Sequence, residues 1–103
     1  MTEKELQRQV LDWLRIKRIF HWRNNSGAMT SSYKGKSRFM RFGAIGSPDI
    51  FAVCGGWIYG FEIKGPKGKL SPEQVKFGIA LEKAGGRYQV VRSLEDVTFY
   101  FTD

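Results

Sequence analysis

Apolar and polar positions along the chain follow two different rhythms. Leu6, Val10, Trp13 and Leu14 recur at the three- and four-residue spacing of one helix face, and Thr2 stands three residues before Glu5 as in a capping box. A helix is therefore predicted over residues 2 to about 17. Residues 19–24 read as a strand. Residues 48–54 and 57–64 are apolar, aromatic-rich runs separated by Gly55-Gly56, a two-residue hairpin signal, and are predicted to pair as antiparallel strands. Ser71-Pro72-Glu73-Gln74 repeats the capping-box pattern with proline in the first helical position, opening a helix that should stop at Gly85-Gly86. Residues 88–91 read as a further strand, and Ser93 is expected to cap a short final helix to about residue 100.

Residues 25–46 break both rhythms. They are rich in Ser, Gly, Lys and Arg, which predicts either a functional loop or a loop interrupted by a short strand at 38–42. The whole order predicts an α/β fold, a central mixed β-sheet flanked by helices. At 103 residues the chain suits a single small domain spanning 1–103. With 42% hydrophobic and 26% charged residues it is apolar enough to bury a core, unlike disordered segments.

Charge and composition narrow the function. The formal net charge is +7, and it is unevenly placed: residues 1–48 carry ten Lys/Arg and three acids, whereas residues 49–103 carry seven of each. Between Trp13 and Pro48 there is no acid, so this segment is the natural docking place for a polyanion. No apolar run approaches the roughly 20 residues of a membrane span, and the N-terminus lacks a signal-peptide stretch, so no membrane partner and a cytoplasmic location are expected. Cys54 is the only cysteine and His21 the only histidine, which excludes an intrachain disulfide and a Cys/His zinc site within one chain. Cys54, in an apolar run, is expected as a buried thiol. The glycines at Gly43 to Gly46 and Gly55-Gly56 match neither the Walker nor the dinucleotide fingerprint, so no nucleotide cofactor is expected.

The hairpin brings chemistry together. Side chains alternate along a strand, so Glu62 and Lys64 share a face that Ile63 does not. If the turn centres on Gly55-Gly56, Cys54 pairs with Trp57, and stepping back pair by pair sets Asp49 opposite Glu62. A bulge would shift the pairing by one residue and turn Asp49 away. Directly opposed carboxylates repel unless a divalent cation lies between them; a hard ion such as Mg²⁺ or Mn²⁺ would satisfy both. Such an ion with a neighbouring lysine suffices for phosphodiester hydrolysis. The plainer alternative is a surface ion pair between Glu62 and Lys64, with Asp49 an unrelated turn residue.

The ordered set Gly46-Ser47-Pro48-Asp49, Glu62-Ile63-Lys64-Gly65-Pro66, Leu70-Ser71-Pro72-Glu73-Gln74 and Ala84-Gly85-Gly86 resembles the PD-(D/E)XK nuclease superfamily, and more narrowly its virus-type replication-repair nuclease (VRR-NUC) domain. The resemblance spans nearly the whole chain. It implies a restriction-endonuclease-like core and a metal-dependent endonuclease, resembling Holliday junction resolvases, that cuts branched or four-way-junction DNA as a homodimer in a bacterial or phage-infected cell. It implies that Asp49 and Glu62 bind Mg²⁺ or Mn²⁺, that Ile63 lends its main-chain carbonyl, that Lys64 serves the attacking water, and that Gln74 supports the site. Glu3 is the choice for a further metal ligand from the first helix, with Glu5 in reserve. Arg23 and Asn24 match an Arg-Asn pair near the scissile phosphate.

Lys34, Lys36, Arg38 and Arg41 complete the expected nucleic-acid-binding set, with Trp22, Tyr33, Phe39 and Phe42 interleaved as stacking or core residues. His21 is read as a structural histidine rather than a general base. Two rival readings stand beside the nuclease: a non-catalytic nucleic-acid-binding module using residues 13–48, and a basic scaffold protein that binds protein rather than DNA.

Overall fold

The computed structural model describes the backbone of residues 1–24, 27–33, 36–42 and 44–102, and the side chains of those residues outside 25–43. Helix α1 (Glu3–Ile16) is followed by strands β1 (Phe20–Arg23), β2 (Gly27–Tyr33), β3 (Lys36–Phe42), β4 (Ile50–Cys54) and β5 (Trp57–Ile63). Helix α2 (Pro72–Lys83), strand β6 (Arg87–Val91) and the short helix α3 (Glu95–Thr98), continued by a 3-10 turn at Phe99–Phe101, complete the chain. The main sheet runs β1-β4-β5-β6, with β2 and β3 forming a separate two-stranded sheet. β1/β4 and β4/β5 are antiparallel while β5/β6 is parallel, with α2 in the crossover that a parallel pair requires. This is an α/β domain with a mixed four-stranded sheet. Among the described residues no helix is long and apolar enough to cross a membrane.

Alternation along β4 and β5 divides the sheet into two differently covered faces. Ile50 and Ala52 of β4 and Tyr59, Phe61 and Ile63 of β5 meet Leu6, Val10 and Leu14 of α1, together with Val91 and Val97, in the main core. Burying each such aliphatic side chain contributes about 1.5–3 kcal/mol. The intervening residues face α2. Phe51 packs on Phe77, ring centroids 6.3 Å apart, and a Cβ on Gly60 would come within 3.1 Å of Leu81. Glu62, which alternates with the core residues, is also on this second face, and among the described residues it is the one charged residue that is buried.

Both capping boxes form: Thr2 and Glu5 exchange bonds at the start of α1, as do Ser71 and Gln74 at the start of α2. Three expectations are corrected. Cys54 is exposed, because it is the last residue of β4 before the hairpin turn, where burial along the strand falls away. Ser93 does not cap α3 with its side chain; the Asp96 carboxylate takes the backbone N–H groups of Arg92 and Ser93 instead. The segment at 25–46 holds two strands of equal length, not a loop with at most a short strand at 38–42.

Candidate active site

The β4–β5 register is the one that the Gly55-Gly56 turn dictates. Cys54 pairs with Trp57 and Ile50 with Phe61, without a bulge, so Asp49 follows in line opposite Glu62. Both turn glycines have positive φ, 60° and 82°, the backbone region that a tight hairpin of this kind needs and that side chains oppose.

Asp49 is held from two sides. Its Oδ2 accepts a hydrogen bond from the Ile63 N–H at 2.8 Å, and its carbonyl accepts one from the Asn24 N–H at 2.7 Å. Asn24 also donates its side-chain amide to Ser47 Oγ (2.8 Å) and to the Pro48 carbonyl (3.0 Å). Behind this segment Gly46, at φ 78°, lies so close to the first turn of α2 that a Cβ would fall 2.3 Å from the Glu73 carbonyl oxygen. The strand start carrying Asp49 is therefore clamped between the end of β1 and α2.

Glu62 is 4% exposed and lies beside the Asp49 carboxyl. Burial, then the charge and hydrogen-bonding of Asp49, push its pKa up, while the Lys64 ammonium pulls the other way. Lys64 Nζ lies 3.9 Å from Glu62 Oε2, a distance of ion pairing rather than of a short hydrogen bond. Two acids and one amine thus meet at one end of the sheet, on the α2 side.

Glu3 lies beside this group, and its charge reaches Glu62. Its Oε1 accepts the Gly65 N–H at 2.8 Å. Glu5 is drawn instead into the Thr2 cap on the exposed start of α1. The turn after β5 is tied from the far side by Arg92, whose guanidinium donates to the carbonyls of Gly65 (2.5 Å) and Gly68 (2.8 Å). Among the described residues no group of three His, Cys, Asp or Glu side chains is close enough to hold a metal ion. The carboxylate donors in contact are Asp49 and Glu62.

Gln74 is set behind the site rather than in it. Its Oε1 accepts the Ser71 N–H at 2.8 Å in the helix cap, and its backbone nitrogen backs Gly46. Arg23 is exposed and lines a shallow depression with Lys4, Glu5, Gln7, Arg8 and Leu11 of α1. His21 is a structural residue whose Nδ1 is 2.7 Å from the Ile19 carbonyl. Trp22 is partly exposed and packs against Phe51 and Phe20, ring centroids 5.3 and 5.9 Å away. Lys34 lies outside the described residues. Lys36, Arg38 and Arg41 fall on β3, opposite Tyr33, Ser31 and Ala28, and their side chains lie outside the described set, as do those of Tyr33, Phe39 and Phe42.

Three residues with roles here escaped the sequence reading: Ser47, Tyr88 and Arg92. Ser47 is buried and receives the Asn24 amide. Tyr88 carries a buried hydroxyl near the acids. No local pattern marks these positions: Ser47 and Arg92 bond partners distant in sequence, and Tyr88 is placed by its packing against Gly78 of α2.

Fold and site together define a small α/β domain with an acidic pair, Glu62 buried and Asp49 half-buried, and a lysine at one end of a mixed sheet. No protein-family profile matches the chain, and no curated protein is significantly similar to it.

Proposed function

We propose that the protein is a metal-dependent DNA endonuclease of the VRR-NUC type, built on Asp49, Glu62 and Lys64. The observation that carries this reading is the contact between the Asp49 and Glu62 carboxyls, with Glu62 buried and the Lys64 ammonium 3.9 Å away. Burial and the neighbouring Asp49 charge let Glu62 hold a proton that it would lose in water. A hard divalent cation fits this donor set, because it can replace that proton and is matched by carboxylate oxygens. Asp49 and Glu62 would hold it, with the Ile63 carbonyl and Glu3 as further candidate donors. When bound, such an ion supplies Lewis-acid polarisation of the phosphodiester and lowers the pKa of water.

The chain's own groups do the remaining work. Asp49, fixed by Ile63 and Asn24, and Glu62, fixed by the β4–β5 pairing, preorient the donors. Lys64 directs an N–H donor to the same end of the sheet, where it can orient the attacking water or steady charge growing on the phosphoryl oxygens. In the hydrolysis the water oxygen bonds to phosphorus, the bond to the leaving ester oxygen breaks, and that oxygen takes up a proton. The acid-free basic stretch from Trp13 to Pro48 is the surface proposed to dock DNA, branched DNA in particular, with a second copy supplying the second cut.

One observation favours the non-catalytic binding module. The Glu3 carboxylate is already engaged by Gly65 N–H, leaving two acids rather than three in contact. Cleavage separates the two readings. Labelled four-way junction, flap, single-stranded and linear duplex DNA are incubated with Mg²⁺, Mn²⁺ or chelator, beside Asp49→Ala, Glu62→Ala and Lys64→Ala. The nuclease reading expects metal-dependent cutting that each substitution abolishes while binding persists. Undiminished cleavage by Asp49→Ala, or no cleavage with any divalent ion, overturns it.

A further inference from the structure

At the Gly55-Gly56 end of the sheet an open cavity of about 640 Å³ is walled by Trp13, Trp57, Tyr59, Tyr100 and Phe101, with Lys17 beside them. That volume is within the range of small-ligand sites. Tyr59 packs on Tyr100 and Phe101, ring centroids 5.3 and 5.0 Å away, and ties this aromatic wall to the main core on the α1 face. Trp57 is different: it is 44% exposed, a large ring kept in water beside an aromatic hollow. Trp57 and Tyr59 share a face that Glu62 does not, and Trp57 stands five residues before Glu62, about 16 Å along β5. The cavity is therefore separate from the acids.

Its charge selects the ligand. Lys17 Nζ lies 5.9 Å from the Trp13 ring centroid, and the Arg87 guanidinium lies 4.8 Å from that of Trp57. Arg87 pairs with Tyr59 across the β5/β6 ladder and so shares its face. Among the described residues no Asp or Glu lines the cavity. The acids whose charge bears on Tyr100, Glu82 and Asp96, are outside the lining, and Arg87 opposes them. The wall formed by Trp13, Lys17 and Ile19 also begins the acid-free stretch that runs to Pro48. A cationic ligand is repelled here, and an apolar peptide leaves both cations without an anion. A flat aromatic group carrying a negative charge satisfies rings and cations together. A nucleotide has both parts, a base that stacks on indole and a phosphate that meets ammonium. In a duplex each base face is already covered by its neighbours, so only an unpaired base offers one.

We propose that this cavity binds an unpaired nucleobase of a DNA strand, stacked on Trp57, with Lys17 on the adjoining phosphate. The inference rests on DNA being the ligand, as read above, and needs neither metal nor cleavage. Binding is therefore measured in chelator, by fluorescence anisotropy, with oligothymidine of about twelve nucleotides, the same backbone lacking its bases, and linear duplex. Trp57→Ala should bind oligothymidine about tenfold more weakly, with Trp57→Phe regaining most of the loss and affinity for the base-free strand and the duplex unchanged. Lys17→Gln should flatten the single-strand salt dependence by about 0.7 in log-log slope. A measurement without the Trp57 variants uses Trp22→Phe, in which only the cavity indoles Trp13 and Trp57 remain to report; oligothymidine should quench their emission. Absent quenching, or a Trp57→Ala loss equal for all three probes, overturns the proposal while duplex binding keeps the DNA reading. A dimer that Trp57→Ala dissolves in sedimentation assigns the cavity to a second copy and also overturns it. A wild type that binds none of the three probes at low salt removes the DNA reading, and this inference with it.

Discussion

Glu62 is the residue on which the electrostatics of the molecule turn. Its pKa is raised from 4.5 to about 8, chiefly by burial and then by Asp49. Between those values the folded chain holds a proton that the unfolded chain releases, so this group's stabilising contribution is full below about pH 4.5 and is lost as pH rises through about 8. Thermal unfolding in chelator should therefore show the wild type losing stability relative to Glu62→Gln as pH climbs through that window. Added Mg²⁺ should restore it at the alkaline end. A wild type that gains on Glu62→Gln over the same range contradicts the raised pKa. Asn24 acts at the same scale. Asn24→Ala removes the bonds to Ser47 and Pro48 that steady the approach to Asp49, and a loss of about 1–3 kcal/mol is expected in urea unfolding. The acids and Lys64 were legible in the sequence because strand alternation and a two-residue turn are local rules. Tyr88, Ser47 and Arg92 were not, because Ser47 and Arg92 bond groups from another part of the chain and Tyr88 is placed by the packing of β6 against α2.

Elements are defined here mostly by their ends. Two reciprocal capping boxes start α1 and α2, and Gly85, at φ 100°, follows the end of α2. All three were readable, since caps satisfy the orphan amides and carbonyls of a helix end with residues only a few positions away. Ser93 misled because its side chain caps no helix amide, while the Asp96 carboxylate reaches back to the Arg92 and Ser93 N–H groups ahead of α3. The joint between β4 and α2 is where an element-scale change reaches the site. Gly46→Ala sets a Cβ against the Glu73 carbonyl and strains a backbone at φ 78°. The strain alone costs about 1–3 kcal/mol. A lower urea midpoint is expected, together with weaker Mn²⁺ binding as the Asp49 segment shifts. An unchanged midpoint would show that α2 yields without cost.

For the molecule as a whole the governing feature is charge asymmetry: the whole excess of +7 arises in residues 1–48. Part of it sits on the separate β2–β3 sheet, at Lys36, Arg38 and Arg41. If this sheet docks DNA, alanine at all three positions should weaken binding and flatten its salt dependence, by about 0.9 in log-log slope for each phosphate that the variant no longer neutralises. Fluorescence anisotropy across a salt series measures this. An unchanged slope would move the docking surface elsewhere. On the proposed reading, metal-dependent cutting should survive the triple substitution at low salt, since Lys36, Arg38 and Arg41 lie on a different element from Asp49, Glu62 and Lys64.

Outside residues 25–46, the sequence by itself determined most of the elements, the β4–β5 register and hence the meeting of Asp49 with Glu62, because turn chemistry, capping and side-chain alternation act over a few residues. Only the tertiary structure decided that Glu3 rather than Glu5 turns toward the acids, that Asn24 and Arg92 brace the two segments beside them, and that a tyrosine from β6 delivers a hydroxyl beneath the sheet-covering helix. Those outcomes depend on which faces pack together, and packing is set by the summed burial of the whole chain rather than by any stretch of it.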